Sequence, residues 1–114
     1  MITIAEHLFE SYRKGSDFVQ KYIFPGGMLA APSVARKQAE AAGLGFDGSM
    51  EFGDSYSRTL REWYDNFNGN WAEISALGFD DRFRRMWNFY LTVCAACFAA
   101  RTTDVTQITL RKPA

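Results

Sequence analysis

The sequence carries no net charge, because its 114 residues include thirteen basic and thirteen acidic side chains. Proteins that hold nucleic acid by its phosphates need an excess of Lys and Arg, and overall there is none. Two local basic clusters remain, at residues 13–14 and 82–85, and solvated helix faces are the simplest explanation for both. We therefore expect no nucleic-acid partner.

Histidine and cysteine are scarce, which limits metal and redox chemistry. His7 is the one histidine, and Cys94 and Cys97 form a C-x-x-C. A structural zinc site needs four ligands, and these residues are too few and too far apart in the sequence to supply them. A redox C-x-x-C favours a helix start, whereas this one falls in the middle of an apolar helical pattern. We expect the cysteines to pack in a core, with metal or redox chemistry as the weaker alternative, and we expect no metal site.

Long apolar runs are absent as well. The uncharged stretch LTVCAACFAA is far shorter than the roughly 20 residues that a membrane-spanning helix needs. The start, MITIAEHLF, has no basic region and no long apolar stretch, so it does not resemble a signal peptide. Two cysteines and no targeting segment indicate a reducing environment, and we expect a cytoplasmic location.

Hydrophobic residues nevertheless make up 47% of the chain and aromatic residues 16%, and their spacing predicts seven elements. Short β-branched or alternating stretches predict strands at residues 1–5, 46–52 and 105–111. Helical periodicity predicts helices at residues 7–23 with an interruption at 15–17, at 32–42, at 57–77, and from 80 or 81 to about 101. In the helix at 57–77, Gly69 marks a bend and Gly78 the end. The predicted order is β-α-α-β-α-α-β, and the predicted fold class is α/β.

The predicted elements differ in how deeply they should be buried. The helix at 32–42 has only a thin apolar stripe and should lie on the outside, whereas the last helix is apolar around most of its circumference and should be buried on most sides. Three strands make a weak sheet alone but a good edge for a larger one. Because the first strand begins without a lead-in, we expect residues 1–114 to be a single segment of a larger domain with an incomplete sheet.

The stretch FVQKYIFPGGML, residues 18–29, places a proline and two glycines directly after an apolar run. Pro25 pushes Phe24 away from helical geometry, and the glycines permit positive φ or a close backbone approach. One interpretation is a helix end followed by a tight turn. The other is a loop shaped to fit a ligand or a neighbouring part of a larger protein.

Tyr56 lies in FGDSYSRTL, directly after a predicted strand and at the start of a predicted long helix. Ligands of open α/β sheets bind near strand ends, where a tyrosine can offer its hydroxyl while its ring packs. Ordinary packing at a helix start explains the same residue equally well. The residues alone leave both interpretations open.

Three stretches of the chain resemble the C-terminal part of the cyclopropane-fatty-acyl-phospholipid synthase family. They are YIFPGGML, FGDSYSRTLREWYDNF and GFDDRFRRMWNFYLTVCAACFAARTTDVTQITLRKP. The resemblance covers essentially the whole chain in order. It implies that the chain is the C-terminal part of a Rossmann-like methyltransferase domain, supplying the last strands and the helices around them.

The resemblance also implies a function and a set of site residues. The family passes a methylene or methyl group from S-adenosylmethionine to the double bond of an unsaturated phospholipid acyl chain, with bicarbonate as the base. Tyr56, followed by Thr59 and Leu60, matches the family's Y-x-x-T-L pattern, whose tyrosine holds the bicarbonate, so Tyr56 is the expected catalytic residue. The family's loop beside the active site matches Tyr22, Phe24, Pro25, Gly26 and Gly27.

Other family features have no counterpart in the chain. The glycine-rich S-adenosylmethionine motif and the catalytic cysteine, glutamate and histidine are missing, so we expect the chain alone to bind no cofactor and to be inactive. Its expected partners are the upstream part of the parent methyltransferase and phospholipid acyl chains at the inner face of the membrane. Open sheet edges predict self-association of the isolated chain. The alternative function is a stand-alone, non-catalytic lipid-binding or assembly module.

Overall fold

The computed structural model describes residues 1–114 as three strands, five α-helices and two short helical turns. The strands are β1 (Ile2–Ile4), β2 (Gly45–Glu51) and β3 (Thr103–Arg111). The α-helices are α1 (Phe9–Lys14), α2 (Pro32–Ala41), α3 (Gly53–Gly69), α4 (Trp71–Ala76) and α5 (Asp81–Ala99). A 3₁₀ turn covers Glu6–Leu8 and a π-helical turn covers Val19–Ile23. The predicted strands are confirmed with small shifts at their ends.

The three strands form one antiparallel sheet in the order β1-β3-β2. The last strand is therefore the central one, with Thr3 opposite Asp104 on one side and Ser49 opposite Ile108 on the other. The register between β2 and β3 shifts between Phe46 and Gly48, which is the position of a β-bulge. Each outer strand leaves one edge of the sheet without a partner strand.

A buried hydroxyl pair joins the two strands of the sheet that lie farthest apart in sequence. The side chains of Thr3 and Thr106 are 1% exposed, and their hydroxyl oxygens are 2.9 Å apart. A hydrogen bond here satisfies two buried polar groups at once. It thereby fixes β1 against the middle of β3.

The predicted helix at 7–23 is interrupted as expected, but its pieces have different geometries. Between α1 and the π-helical turn the chain is extended, and Asp17 begins the second piece with a reciprocal cap. The Gln20 N–H donates to the Asp17 carboxylate at 2.8 Å, and the Asp17 N–H donates to the Gln20 side-chain oxygen at 3.0 Å. This is the arrangement of a capping box, which stabilises a helix start.

The predicted helix at 57–77 starts four residues earlier than expected, and it is interrupted at the glycine that the sequence marks as a bend. α3 begins at Gly53 and ends at Gly69, and Asn70 separates it from α4. The Asn66 carbonyl accepts both the Asn70 backbone N–H at 3.0 Å and the Asn70 side-chain amide at 2.8 Å. The break gives the molecule one more helix than the predicted order contains.

The core lies between α3 and α5 and contains Leu60, Leu91, Ala95 and Phe98. The prediction that the last helix is buried on most sides is wrong for this chain, since only three of its residues are buried and Phe89 is 52% exposed. α5 packs against α3, Val105 of β3 contacts the core between them, and Phe18 of the segment before the Phe24 turn contacts Phe89. The prediction for α2 is confirmed, because none of its residues is buried.

The segment that follows the Phe24 turn returns to the sheet. The Ile4 N–H donates to the Ala30 carbonyl at 3.1 Å. The Glu6 carboxylate accepts bonds from the Ser33 N–H at 2.7 Å and the Ser33 hydroxyl at 2.8 Å, so it caps α2 from a distant position. These contacts fix both ends of the segment at the end of β1. No helix of the structure is long and apolar enough to cross a membrane.

Candidate functional site

The stretch Phe24–Pro25–Gly26–Gly27 forms a tight turn. The Gly27 N–H donates to the Phe24 carbonyl at 2.9 Å, and Gly26 has φ +80°. A proline at the second position and a positive φ at the third are the requirements of a type II turn. The first interpretation of this stretch, a helix end followed by a tight turn, is therefore confirmed in its geometry. A role for the same turn beside a ligand stays a prediction.

The turn is anchored to the helical piece that precedes it. The Phe24 N–H donates to the Val19 carbonyl at 2.8 Å, which closes the π-helical turn, and the Gln20 side-chain amide donates to the Gly27 carbonyl at 3.3 Å. A π-helical turn widens a helix locally and is frequent at functional sites. Here it positions the ring of Phe24 against Tyr90 of α5, although Phe24 as a whole is still 56% exposed.

Tyr56 lies in the first turn of α3, as the sequence predicts. The helix start is fixed to β3, because the Gly53 N–H donates to the Asp104 carboxylate at 2.7 Å. One turn further on, the Ser57 hydroxyl donates to the Ala95 carbonyl at 2.9 Å, which fixes α3 against α5. Tyr56 is therefore carried by a segment that is held on both sides of it.

The ring of Tyr56 is half-buried between two other rings. It meets Phe98 edge-on at a centroid distance of 5.0 Å and Trp63 edge-on at 5.8 Å. Such edge-to-face contacts fix the orientation of an aromatic ring. The neighbouring hydroxyls of Ser57 and Thr59 bond to backbone carbonyls, whereas the Tyr56 hydroxyl makes no hydrogen bond within the protein.

A stripe on α5 connects Tyr56 to the turn. Tyr90, Cys94 and Phe98 are spaced four residues apart, so they share one face of the helix. The ring of Phe24 meets Tyr90 edge-on at 6.2 Å at one end of this stripe, and Tyr56 meets Phe98 at the other end. At 1.5 Å of rise per residue the stripe is about 12 Å long. The structure thus brings Phe24 and Tyr56 to the two ends of one aromatic face.

Tyr90 is the residue of this face that sequence reasoning missed as a site residue. The sequence pattern predicts only that Tyr90 belongs to the apolar circumference of the last helix. Its spacing from Cys94 and Phe98 was visible in the sequence, but the contact with Phe24 depends on how the π-helical turn folds back. Burial, with smaller effects of nearby Cys94 and Tyr56, raises the pKa of the Tyr90 hydroxyl, so this tyrosine stays neutral at ordinary pH.

The C-x-x-C lies within α5, where both cysteines are free and half-buried. Burial raises the pKa of the Cys94 thiol to about 11, with smaller effects from Cys97 and Asp17. Because the thiolate is the nucleophile and the metal ligand, a raised pKa opposes both roles. The predicted packing role fits this position.

The predicted loop residues do not all point to one place. Tyr22 is 53% exposed, and its ring contacts Phe18 at 5.3 Å, whereas the ring of Phe24 contacts Tyr90. Pro25, Gly26 and Gly27 form the exposed turn itself. Only Phe24 reaches the α5 face that leads to Tyr56.

Two open clefts flank the start and the middle of α3, and Tyr56 lines neither of them. A cleft of about 430 Å³ lies between α3 and α5 beside Leu60 and Leu91. Another, of about 440 Å³, lies at the α3 start beside Gly53 and Asp104. Tyr56 is half-buried beside Phe98 and Trp63, outside both clefts.

The residues present do not fit S-adenosylmethionine. A nucleotide-type cradle needs a glycine between a strand and a helix that lets a ligand approach the backbone. Gly53 is the one glycine that opens a helix directly after a strand, but a Cβ built on it would lie 2.7 Å from the Asp104 carboxylate oxygen. The Asp104 carboxylate therefore occupies the space beside the Gly53 backbone that a ligand would need.

Comparison with known proteins gives one family. The family model for mycolic acid cyclopropane synthetase matches residues 1–108. Tuberculostearic acid methyltransferase UfaA1 of Mycobacterium tuberculosis is 34% identical over 110 residues, which are 96% of this chain and 26% of that protein. Cyclopropane-fatty-acyl-phospholipid synthase of Escherichia coli K12 is 38% identical over 92 residues, which are 80% of this chain and 23% of that protein.

Solved structures show the same fold. The cyclopropane synthase MmaA2 from Mycobacterium tuberculosis superposes with a TM-score of 0.84 at 24% identity, over 98% of this chain and 42% of that one. Mycolic acid cyclopropane synthase CmaA1, complexed with SAH and CTAB, gives a TM-score of 0.84 at 26% identity, over 97% and 42%. The chain thus spans about a quarter of the curated relatives and less than half of the solved chains. The predicted fold class, an α/β part of a methyltransferase domain with an incomplete sheet, is confirmed.

Proposed function

This chain belongs to the mycolic acid cyclopropane synthetase family, and on that premise we propose that it is the C-terminal segment of an S-adenosylmethionine-dependent enzyme. The enzyme transfers a methylene or methyl group to the double bond of an unsaturated phospholipid acyl chain. The names of the relatives support this substrate class, since they include a cyclopropane-fatty-acyl-phospholipid synthase and a tuberculostearic acid methyltransferase.

The observation that carries the proposal is the placement of Tyr56. Its ring is held between Phe98 and Trp63, while its hydroxyl makes no hydrogen bond within the protein. A fixed ring with an unused hydroxyl is suited to orient a small group that is supplied from outside the chain. In the proposed reaction that group is bicarbonate: the Tyr56 hydroxyl would donate a hydrogen bond to hold it, and it would supply the base for the proton that is lost when a cyclopropane ring closes.

The stripe of Tyr90, Cys94 and Phe98 supplies the apolar wall beside that hydroxyl. An acyl chain laid along it contacts the half-buried Tyr90 ring and the neutral Cys94 thiol, neither of which carries a charge that would need solvation. Phe98, which is 3% exposed, belongs to the core against which these two residues pack. Phe24 covers the far end of the stripe through its contact with Tyr90. Apolar lining with a few placed polar groups is the usual composition of a ligand site.

S-adenosylmethionine, when bound, supplies the transferred carbon, and the proposal assigns its binding to the remainder of a longer polypeptide. We expect the 114-residue chain alone to show no binding of S-adenosylmethionine by isothermal titration calorimetry at micromolar concentrations. The reason is that Asp104 occupies the space beside Gly53, at the start of α3, where the cofactor would have to lie. Micromolar binding to the isolated chain would contradict this assignment.

The alternative function is a stand-alone lipid-binding or assembly module. The same observation, Asp104 beside Gly53, supports it, because a module without catalysis has no need for the cofactor. The reading frame upstream of the Met1 codon separates the two functions. A glycine-rich methyltransferase motif encoded there favours the enzyme, and a stop codon close to Met1 favours the module.

A lipid analysis tests the activity directly. The intact reading frame that carries these residues would be expressed in a bacterium that makes unsaturated phospholipids but no cyclopropane or methyl-branched acyl chains. We expect fatty acid methyl esters analysed by gas chromatography and mass spectrometry to include species heavier by one CH₂ unit than the unsaturated parents. Unaltered acyl chains, with the protein present and folded, would refute the proposed reaction.

A further inference from the structure

The structure carries an exposed surface beside the Phe24 turn that combines aromatic rings with unpaired cations. We define the aromatic–basic patch as Lys21, Tyr22, Arg82, Arg85 and Phe89. Tyr22 is 53% exposed and Phe89 is 52% exposed. Single exposed aromatic residues are ordinary on protein surfaces, but a contiguous group marks an interaction site.

Contacts on one side and helix spacing on the other make the patch continuous. Phe18 packs against Phe89 edge-on at 4.7 Å and lies 5.3 Å from Tyr22, so it joins the π-helical turn to α5. The Lys21 ammonium lies 5.3 Å from the centre of the Tyr22 ring. On α5, Arg85 precedes Phe89 by four residues and Arg82 precedes it by seven, a spacing that places all three on one helix face.

The cations of the patch are free to meet an anionic partner. The ion pairs of the structure use five basic residues, which are Arg13, Lys14, Arg36, Arg101 and Arg111. Lys21, Arg82 and Arg85 are exposed and belong to none of them. Asp17 accepts the Gln20 N–H and Asp80 accepts the Phe83 N–H. Asp81, directly before Arg82, makes no ion pair with any of the three cations.

We propose that the aromatic–basic patch docks the protein on an anionic phospholipid bilayer. Tyrosine and phenylalanine rings lie well at the boundary between headgroups and acyl chains, and Lys and Arg bind the negative surface potential. The patch adjoins Phe24, which covers one end of the stripe that leads to Tyr56. Docking therefore places the bilayer at the end of the path along which an acyl chain reaches Tyr56. This placement rests on the proposed function, whereas docking itself does not.

Charge reversal tests the docking. The variant Lys21→Glu/Arg82→Glu/Arg85→Glu of the intact polypeptide is compared with a matched control, Lys37→Glu/Arg61→Glu/Lys112→Glu, whose residues are also exposed and unpaired. Binding to vesicles of phosphatidylglycerol with phosphatidylcholine is measured by co-sedimentation. Each cation near an anionic surface strengthens binding about fivefold, so the loss of three cations alone should weaken binding about 100-fold, and the three new carboxylates should weaken it further. The control variant should lose much less, and salt should weaken wild-type binding.

A second substitution and a second assay separate docking from fold and from catalysis. Tyr22→Ser/Phe89→Ser should also weaken vesicle binding without altering the circular dichroism spectrum. The patch variant should lose turnover on vesicles but keep it on the same lipid in detergent micelles. Equal loss in both charge variants, or wild-type binding by the patch variant, overturns the docking surface. Normal vesicle binding by the wild type with no turnover on either lipid form leaves the docking supported and refutes the proposed reaction instead.

Discussion

At the scale of single residues, the central feature is a tyrosine whose ring has two aromatic neighbours and whose hydroxyl has no partner. Tyr56 contributes packing through its contacts with Phe98 and Trp63. The hydroxyl contributes nothing to the folded state through hydrogen bonds. The two parts of the side chain can therefore be tested separately by removing one oxygen atom.

We predict that Tyr56→Phe lowers turnover of the intact enzyme by about 10²- to 10⁴-fold, the usual contribution of a positioned proton-transfer group. The melting temperature should stay close to that of the wild type, because no hydrogen bond is lost. Methyl transfer to unsaturated phospholipid and thermal unfolding are the two measurements. Tyr64→Phe, on the exposed face of the same helix, is the matched control and should leave both unchanged. Unchanged turnover in Tyr56→Phe would leave Tyr56 with a packing role only.

Cys94 gives a residue-scale prediction about pH. With a pKa raised from 9.0 to about 11, its thiolate fraction at pH 8 is about 100-fold smaller than that of an ordinary thiol. In the variant Cys97→Ser, we expect iodoacetamide to modify folded Cys94 far more slowly than the urea-unfolded chain, as followed by mass spectrometry. Similar rates would show that the thiol is accessible and ionisable.

The same shift predicts how stability depends on pH. The unfolded thiol ionises above about pH 9, while the folded thiol stays protonated up to about pH 11. Between these two values ionisation therefore stabilises the unfolded state relative to the folded state. The contribution of Cys94 to stability is therefore present below pH 9 and is lost as the pH rises towards 11. Replacing Cys94 by Ala should flatten this part of the stability profile.

At the scale of elements, local turn chemistry was readable from the sequence and distant contacts were not. The proline and glycines at residues 25–27 are enough to predict a turn, and the interruption at 15–17 marks the break that follows α1. The start of α3 was placed four residues late, because its cap is Asp104, which lies 51 residues further along the chain. The break between α3 and α4 lies at Gly69, which the sequence marks as a bend, whereas the bond from the Asn70 side chain to Asn66 is not visible in the periodicity.

Two glycines of α3 give opposite predictions. Gly53→Ala should lower the free energy of unfolding by about 1–3 kcal/mol, because its Cβ would lie 2.7 Å from the Asp104 carboxylate and 3.2 Å from the Asp104 Cα. Gly69→Ala should raise it by up to about 1 kcal/mol, since nothing lies within 4 Å of the new methyl group and alanine favours the helix. Urea unfolding followed by circular dichroism measures both. A stabilised Gly53→Ala would mean that the β3 contact can shift freely.

At the scale of the whole molecule, the chain buries little of itself. Only 10 of 114 residues are buried, and the molecule extends 53 Å in its longest direction against 28 and 26 Å in the others. Large apolar side chains stay exposed on several elements, among them Ile2, Met50, Leu77 and Phe89. More than half of each solved relative lies outside the matched region. Sequence periodicity reports that a face is apolar but not which polypeptide covers it.

The open edges lead to the prediction that the isolated 114-residue chain associates with itself. On β1 the Ala30 segment bridges Thr3 and accepts the Ile4 N–H, so the edge that stays unpaired along its length is the outer edge of β2. Unpaired strand edges of this kind pair with other copies. Light scattering should therefore give a mass above 12.9 kDa that rises with concentration. Met50→Lys, on β2, should shift the chain towards the monomer, because an edge lysine opposes strand pairing. Leu77→Lys, in the turn after α4, replaces a residue that is 78% exposed against 58% for Met50, and it should leave the association intact because it lies away from the sheet. A monomer at every concentration would refute the prediction, and equal dissociation by both variants would assign the association to apolar surface rather than to the strand edge.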